Sequence, residues 1–246
     1  MIRAGIGGWT FEPWRGSFYP KGLVHSRELE FASRALNTIE INGTFYRTQT
    51  PDTFRNWADE TPDGFVFSLK APRYAVNRRV LAEAGPSIER FFASGVAELG
   101  EKLGPILWQF APTKRFEQAD FAAFLALLPR QVNGNPLRHA LEVRHESFKS
   151  PELVNLAAKA DAAIVLADSD DYPCIEEKTA GFTYVRLMKS RMEEETGYAS
   201  EELARWAERA ANWSADGRDV FIYFIDGAKE RAPAAAQAFL GLITKN

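Results

Sequence analysis

Glu40 and Asn42 sit two residues apart in "TIEINGTFYR", a run whose β-branched and apolar residues otherwise read as a buried strand. Alternation with period two puts both on one face, and Ile39 and Ile41 on the other. The pattern recurs in "RHALEVR", where Glu142 and Arg144 alternate with Leu141 and Val143. Other strand-like runs carry polar side chains at their ends: Lys70 in "FVFSLKA", Gln109 in "PILWQFA" and Arg186 in "FTYVRLM". On converging strands this set has a definite chemistry. Glu40 or Glu142 would serve as general acid or base, with a pKa set by burial beside cations. Lys70, Arg144 and Arg186 would hold an anion, because guanidinium forks match phosphate and carboxylate geometry. Asn42 and Gln109 would orient hydroxyl groups. The competing reading is a structural ion-pair network, since a buried charge needs a partner whatever its role. Asp168 and Asp226 end two more runs, and either one turned inward would change the charge balance.

These residues can converge only if their strands lie side by side. Eight β-type runs alternate with segments of helical periodicity: 3–9, 38–42, 65–71, 105–111, 138–144, 162–168, 182–188 and 220–226. With 246 residues, the expected fold is an α/β, TIM-type (β/α)8 barrel. In such a barrel the loops at the carboxyl ends of the strands build the site, and alternate strand residues point inward. "GPSIERFFASGVAELGEKLG" reads as one helix, with Pro86 near its start and Gly104 after its end. Ser150 and Pro151 mark the start of another, and Ser200 that of a third. The sixth β/α unit is irregular, because "SDDYPCIEEKTAG" offers no full helix. No linker or low-complexity tract divides the chain, so residues 1–246 are expected to form a single domain. The alternative, a doubly wound sheet, lacks its phosphate fingerprint: "GIGGW" leads into a long loop rather than a helix.

That loop, "WTFEPWRGSFYP", is rich in aromatic residues. Phe11 and Phe18 read as a cluster pinning it, while Trp9 and Trp14 are open to a second reading, a wall that stacks on a planar or sugar-like ligand. The net charge of −3 gives no global attraction to phosphate polymers or anionic membranes, so nucleic acid is the less favoured partner. Arg47, Arg73, Arg78 and Arg79 would carry such binding, yet they read better as a solvated rim. The most apolar run, "FAAFLALL", stops at Pro129, far short of a membrane span. The lone Cys174 fits a reducing compartment, and no export signal is visible at the N-terminus, so a cytoplasmic location is expected. His25, His139 and His145 lack metal-binding spacing, and a carboxylate-held Mg²⁺ at Glu40, Glu142 and Asp168 has no motif behind it. No metal and no cofactor is assigned.

The motifs "GIGGW…W.G.FYP", "TIEINGTFYR", "GFVFSLKAPR", "GPILWQF.P", "LEVRHESF" and "YVRL" together closely resemble the uncharacterised family known as domain of unknown function 72, the YecE-like proteins. They cover nearly the whole chain in order. The resemblance implies a β/α barrel without an established activity. It points to Trp9, Trp14, Gly16, Tyr19, Glu40, Asn42, Phe45, Tyr46, Lys70, Gln109, Glu142, Arg144 and Arg186. Trp9, Trp14 and Tyr46 join the ligand-binding set on this basis. The chain departs from the pattern at Val76-Asn77, where relatives often read Thr-His, at Met188-Lys189, where they often read His-Gly, and at Ile225-Asp226. Chemistry that needs those imidazoles does not carry over. The favoured expectation is an enzyme acting on a small anionic ligand, such as a phosphorylated sugar or nucleotide fragment. A glycoside hydrolase using two carboxylates and aromatic walls is the alternative enzyme, and a non-catalytic module binding a metabolite or nucleic acid is the alternative class.

Overall fold

The computed structural model describes residues 1–244, and its centre is a ring of parallel strands. In chain order these are β1 (Ile2–Gly7), β2 (Thr38–Ile41), β3 (Val66–Lys70), β4 (Leu103–Gln109) and β5 (His139–Glu142), then β6, β7 (Phe182–Leu187) and β8 (Asp219–Phe224). β6 is split at Val165 into Ala162–Ile164, which pairs with β5, and Leu166–Asp168, which pairs with β7. β8 pairs with β1, so the two ends of the sheet meet in β6 and the barrel closes through the chain itself.

Alternation divides the apolar residues between two cores. Outward-facing Ala4, Ile6, Ile39, Leu69, Trp108 and Val185 pack against the helices. Inward-facing Val66, Leu107, Ala140, Val165, Tyr184, Phe221 and Tyr223 fill the barrel. Asp219 faces Arg138 at 2.8 Å and Arg3 at 3.5 Å at the amino-terminal end of the strands. Among the described residues the long helices are α1 (Glu28–Ala35), α2 (Pro51–Glu60), α3 (Gly85–Ala93), α4 (Gln118–Ala126), α5 (Pro151–Lys159), α6 (Ser200–Ser214) and α7 (Ala232–Ile243). The cap expected at α5 is present, with Ser150 Oγ accepting from the Leu153 amide at 3.2 Å. The sixth unit lacks a helix, because residues 169–181 form an extended, irregular crossing.

The single helix expected over 85–104 is corrected. It stops at Ala93, and Gly95, at φ 108°, turns the chain into a short 3₁₀ segment, Val96–Lys102, that runs straight into β4. Gly104 lies inside that strand rather than closing a helix.

The crowded glycines of β1 have a packing cause. A Cβ on Gly5 would lie 1.8 Å from the Thr38 carbonyl oxygen, so β1 and β2 approach more closely than any side chain allows. Gly5→Ala is therefore expected to lower stability by about 2–3 kcal/mol, the scale of an overpacked core. Chemical denaturation measures it, and an unchanged midpoint would contradict the close approach.

Candidate functional site

Glu40 and Glu142, from β2 and β5, meet on one guanidinium from β7. Arg186 Nη2 and Nε donate to Glu40 at 3.0 and 3.1 Å, and Nη1 donates to Glu142 at 2.6 Å. All three side chains are buried. Strand alternation is the cause: Glu40 pairs across the sheet with Gly7 and Ser68, Glu142 with Gln109, and Arg186 with Tyr223, and the three charged residues lie late in their strands on the inner face. Gln109 Nε2 donates to the Glu142 oxygen at 2.8 Å, and Arg144 Nε to its other oxygen at 2.7 Å. Burial alone would raise the Glu142 pKa. Arg186 and Arg144, with the Gln109 hydrogen bond, outweigh it and hold this carboxyl below the usual range. For Arg186, burial lowers the pKa, and Glu142 with Glu40 more than reverse it.

Below the carboxylates lies a layer of hydroxyl groups that sequence reasoning missed. Tyr184 Oη donates to Glu40 at 2.7 Å, Ser68 Oγ lies 2.8 Å from Tyr184 Oη, and Thr38 Oγ1 lies 2.8 Å from Tyr223 Oη. Burial and the Glu40 charge push the Tyr184 phenol well above its ordinary pKa, so it stays a donor. The signal was available. Thr38, Ser68 and Tyr184 each stand two residues before Glu40, Lys70 and Arg186, on the same inward face.

Lys70 lies above the ion-paired group, at the mouth. Its amine sits 4.3 Å from the centre of the Phe45 ring and, among the described residues, takes no carboxylate partner. Its side chain is only 7% exposed. Burial, then the Arg186 and Arg144 charges, lower the amine to about 8 against the pull of Glu40 and Glu142. Arg144 completes the mouth, 4.1 Å above the Tyr172 ring and 3.2 Å from its hydroxyl. Tyr172 comes from the irregular crossing after β6, where no periodicity marks it. Asn42 is half-buried beside the end of β1, with its amide close to Gly7.

Other expected residues lie elsewhere. Trp14 is fully buried, donates from Nε1 to the Lys229 carbonyl at 3.0 Å and packs edge-on against Phe11 and Phe18. The expectation of a ligand wall is corrected for Trp14: it fastens the first loop to the segment after β8. Trp9 sets its edge against Trp57 of α2, 5.3 Å away, and lies 6.4 Å from Phe67, on the helix side of β3. Tyr46 is 64% exposed beside Phe45, on the rim. Asp226 is exposed, and Asp168 lies 3.5 Å from Lys189, so neither carboxylate joins the central group. Arg47, Arg73 and Arg79 are exposed. Arg79 borders a rim cleft of about 540 Å³ with Asn77, Arg78, Lys114 and Arg115. His139 is buried between Trp108 and the Pro129 carbonyl, and burial lowers its pKa. His145 caps a short turn through the Ser147 amide. Among the described residues no three His, Cys, Asp or Glu side chains gather as a metal-binding group, and no helix is long and apolar enough to cross a membrane.

Comparison with known proteins agrees with the motifs. The chain is 28% identical over 156 residues to YunF of Bacillus subtilis, covering 61% of this chain and 53% of that protein. It is 26% identical over 151 residues to YecE of Escherichia coli K12, covering 60% of this chain and 50% of that one. The chain thus spans about half the length of these two relatives in the matched region. A crystal structure of a Thermotoga maritima protein of the same family superposes with a TM-score of 0.77 at 21% identity, covering 100% of this chain and 98% of that one. The model of the family described as "Protein of unknown function DUF72" matches residues 3–246, and the chain belongs to that family.

Proposed function

We propose that this chain is an enzyme that takes a small anionic ligand, of the phosphorylated-sugar kind, at the carboxyl end of its barrel. One observation carries this reading. Lys70, Arg144 and Arg186 face Glu40 and Glu142 in a largely buried space, so the formal charges leave one positive charge over. Asp168 does not offset it, being occupied by Lys189. A confined excess of positive charge is weakly screened and attracts an anion. Arg144 is the natural clamp: Nε is spent on Glu142, while the rest of the fork lies over Tyr172 at the mouth.

The distribution of roles shifts from the sequence expectation. Glu142 is held ionised by two guanidinium groups, and Glu40 accepts from both Arg186 and Tyr184. Both carboxylates serve best as the frame that aims Arg186. Proton transfer near neutral pH falls to Lys70. A glycoside hydrolase needs one carboxyl group kept protonated as an acid, and the double clamp on Arg186 works against that.

Phosphate titration by calorimetry tests the reading. Wild-type protein should bind inorganic phosphate, and its melting temperature should rise with phosphate concentration. Arg144→Ala should weaken binding by roughly tenfold or more, the scale of a lost charge-assisted hydrogen bond. The fold should persist, since Glu142 keeps Arg186 and Gln109. Arg79→Ala, on the rim, should bind within about twofold of wild type. Equal losses in the two variants, or no binding by the wild type, would reject the anion clamp.

A further inference from the structure

We propose that Lys70 Nζ is a nucleophile that condenses with the carbonyl carbon of a small phosphorylated aldehyde or ketone. The inference rests on the anion-binding reading above and deepens it by naming the ligand class. Its basis is an unusual placement. The amine stands at the carboxyl end of β3, where ligands enter a barrel of this kind. It is 7% exposed, so it is shielded from bulk water without being sealed off completely. The two nearby carboxylates, Glu40 and Glu142, are committed to Arg186 and Arg144, and the Phe45 ring covers one side of the ammonium. A lysine that served only as an anion clamp or a structural ion would gain from staying fully charged. Here burial, and after it Arg186 and Arg144, disfavour its charge, while Glu40 and Glu142 restore it only in part.

The step balances without a further reactant. One proton leaves the ammonium, and the freed nitrogen pair attacks the carbonyl carbon, forming the C–N bond as the C–O π electrons move to oxygen. That oxygen gains the released proton through water at the mouth and then a second hydrogen from nitrogen. It departs as water, leaving an iminium that carries the same single positive charge as the original ammonium. Because the charge returns in the iminium, Glu40 and Glu142 face a cation both before and after the condensation. Arg144 would hold the phosphate.

At pH 7 a lysine amine at about 8 is free in about 300-fold greater proportion than one at 10.5. Lys229, lowered by burial beside Phe11 and Trp14, is the most demanding internal control. The intact chain is incubated at pH 7 with glycolaldehyde phosphate, reduced with borohydride and mapped by peptide mass spectrometry. The same is done with uncharged glycolaldehyde. The expected result is an adduct at Lys70 at least tenfold above Lys229, stronger with the phosphorylated aldehyde and suppressed by inorganic phosphate. Lys70→Met should lose that adduct and keep the background labelling elsewhere. Absence of a Lys70 adduct with either aldehyde, while phosphate still binds, would overturn the nucleophile and leave the anion clamp standing. An equal Lys70 adduct from both aldehydes, unaffected by phosphate, would support the nucleophile and remove the phosphorylated class of ligand.

Discussion

Replacing Arg186 with methionine is expected to cost about 5 kcal/mol, the upper end for removing one partner of a buried ion pair. For a chain of this size that corresponds to a fall in melting temperature on the order of 10–20 °C. The reason is that a single guanidinium answers two carboxylates. Without it, among the described residues Glu40 keeps only the Tyr184 hydroxyl, and Glu142 keeps Arg144 and Gln109. Two buried carboxylates, from β2 and β5, would then lie inside the barrel with less than their full compensation. The design of the test follows from that cause. If uncompensated charge is responsible, adding Glu40→Gln and Glu142→Gln to Arg186→Met should recover most of the loss, because amides of similar shape carry no charge to strand. Thermal unfolding followed by circular dichroism measures all the variants. A single variant within about 2 °C of wild type, or a triple variant no better than the single, would mean that Arg186 is not the keystone described.

How much of this was legible in the sequence depends on the range of the physical cause. Glu40, Asn42, Glu142 and Arg144 could be read from alternation, which is local: neighbours in a strand must point to opposite faces, whatever lies around them. Convergence at one end also followed, because strand ends are ends in any barrel. Trp14 could not be read this way. Its partner is the carbonyl of Lys229, 215 residues along the chain, and only the closed fold sets the first loop against the last strand. Lys70 was found as a cation but not as an unpaired one, since that depends on Arg186 taking both carboxylates first. The broken helix after Ala93 turns on Gly95, whose added Cβ would collide with Pro51 of α2. A glycine within an amphipathic pattern reads as tolerated until its neighbour is known. The split in β6 reflects closure of the ring, with one half-strand tied to each side. No local pattern encodes that division of labour.

Replacing Lys70 with methionine is expected to raise the melting temperature at pH 7, and the gain should fade as the pH approaches 10.5. The sign follows from proton counting. The folded amine titrates near 8 and the unfolded one at 10.5, so below 8 both states are protonated and the wild type bears the whole cost of a buried cation. Between the two values the unfolded chain binds more protons, and wild-type stability climbs with pH. A shift of this size sets a ceiling of about 3 kcal/mol on the difference at pH 7. Methionine keeps the unbranched stem and packs its sulfur against Phe45, but it forfeits the cation–ring attraction of roughly 0.5–1 kcal/mol. A net gain of about 2 kcal/mol is therefore expected at pH 7, or several degrees for this length. Denaturant unfolding of both proteins from pH 6.5 to 10.5 isolates the effect, because every other titrating group is common to the pair and cancels in the difference. A difference that stays flat with pH, or a wild type more stable than the variant at pH 7, would mean that the ammonium has a partner and is not poised to lose its proton. Such an outcome would be the stability cost that the proposed nucleophilic role of Lys70 entails, since a site held in a reactive state is commonly kept at the expense of stability.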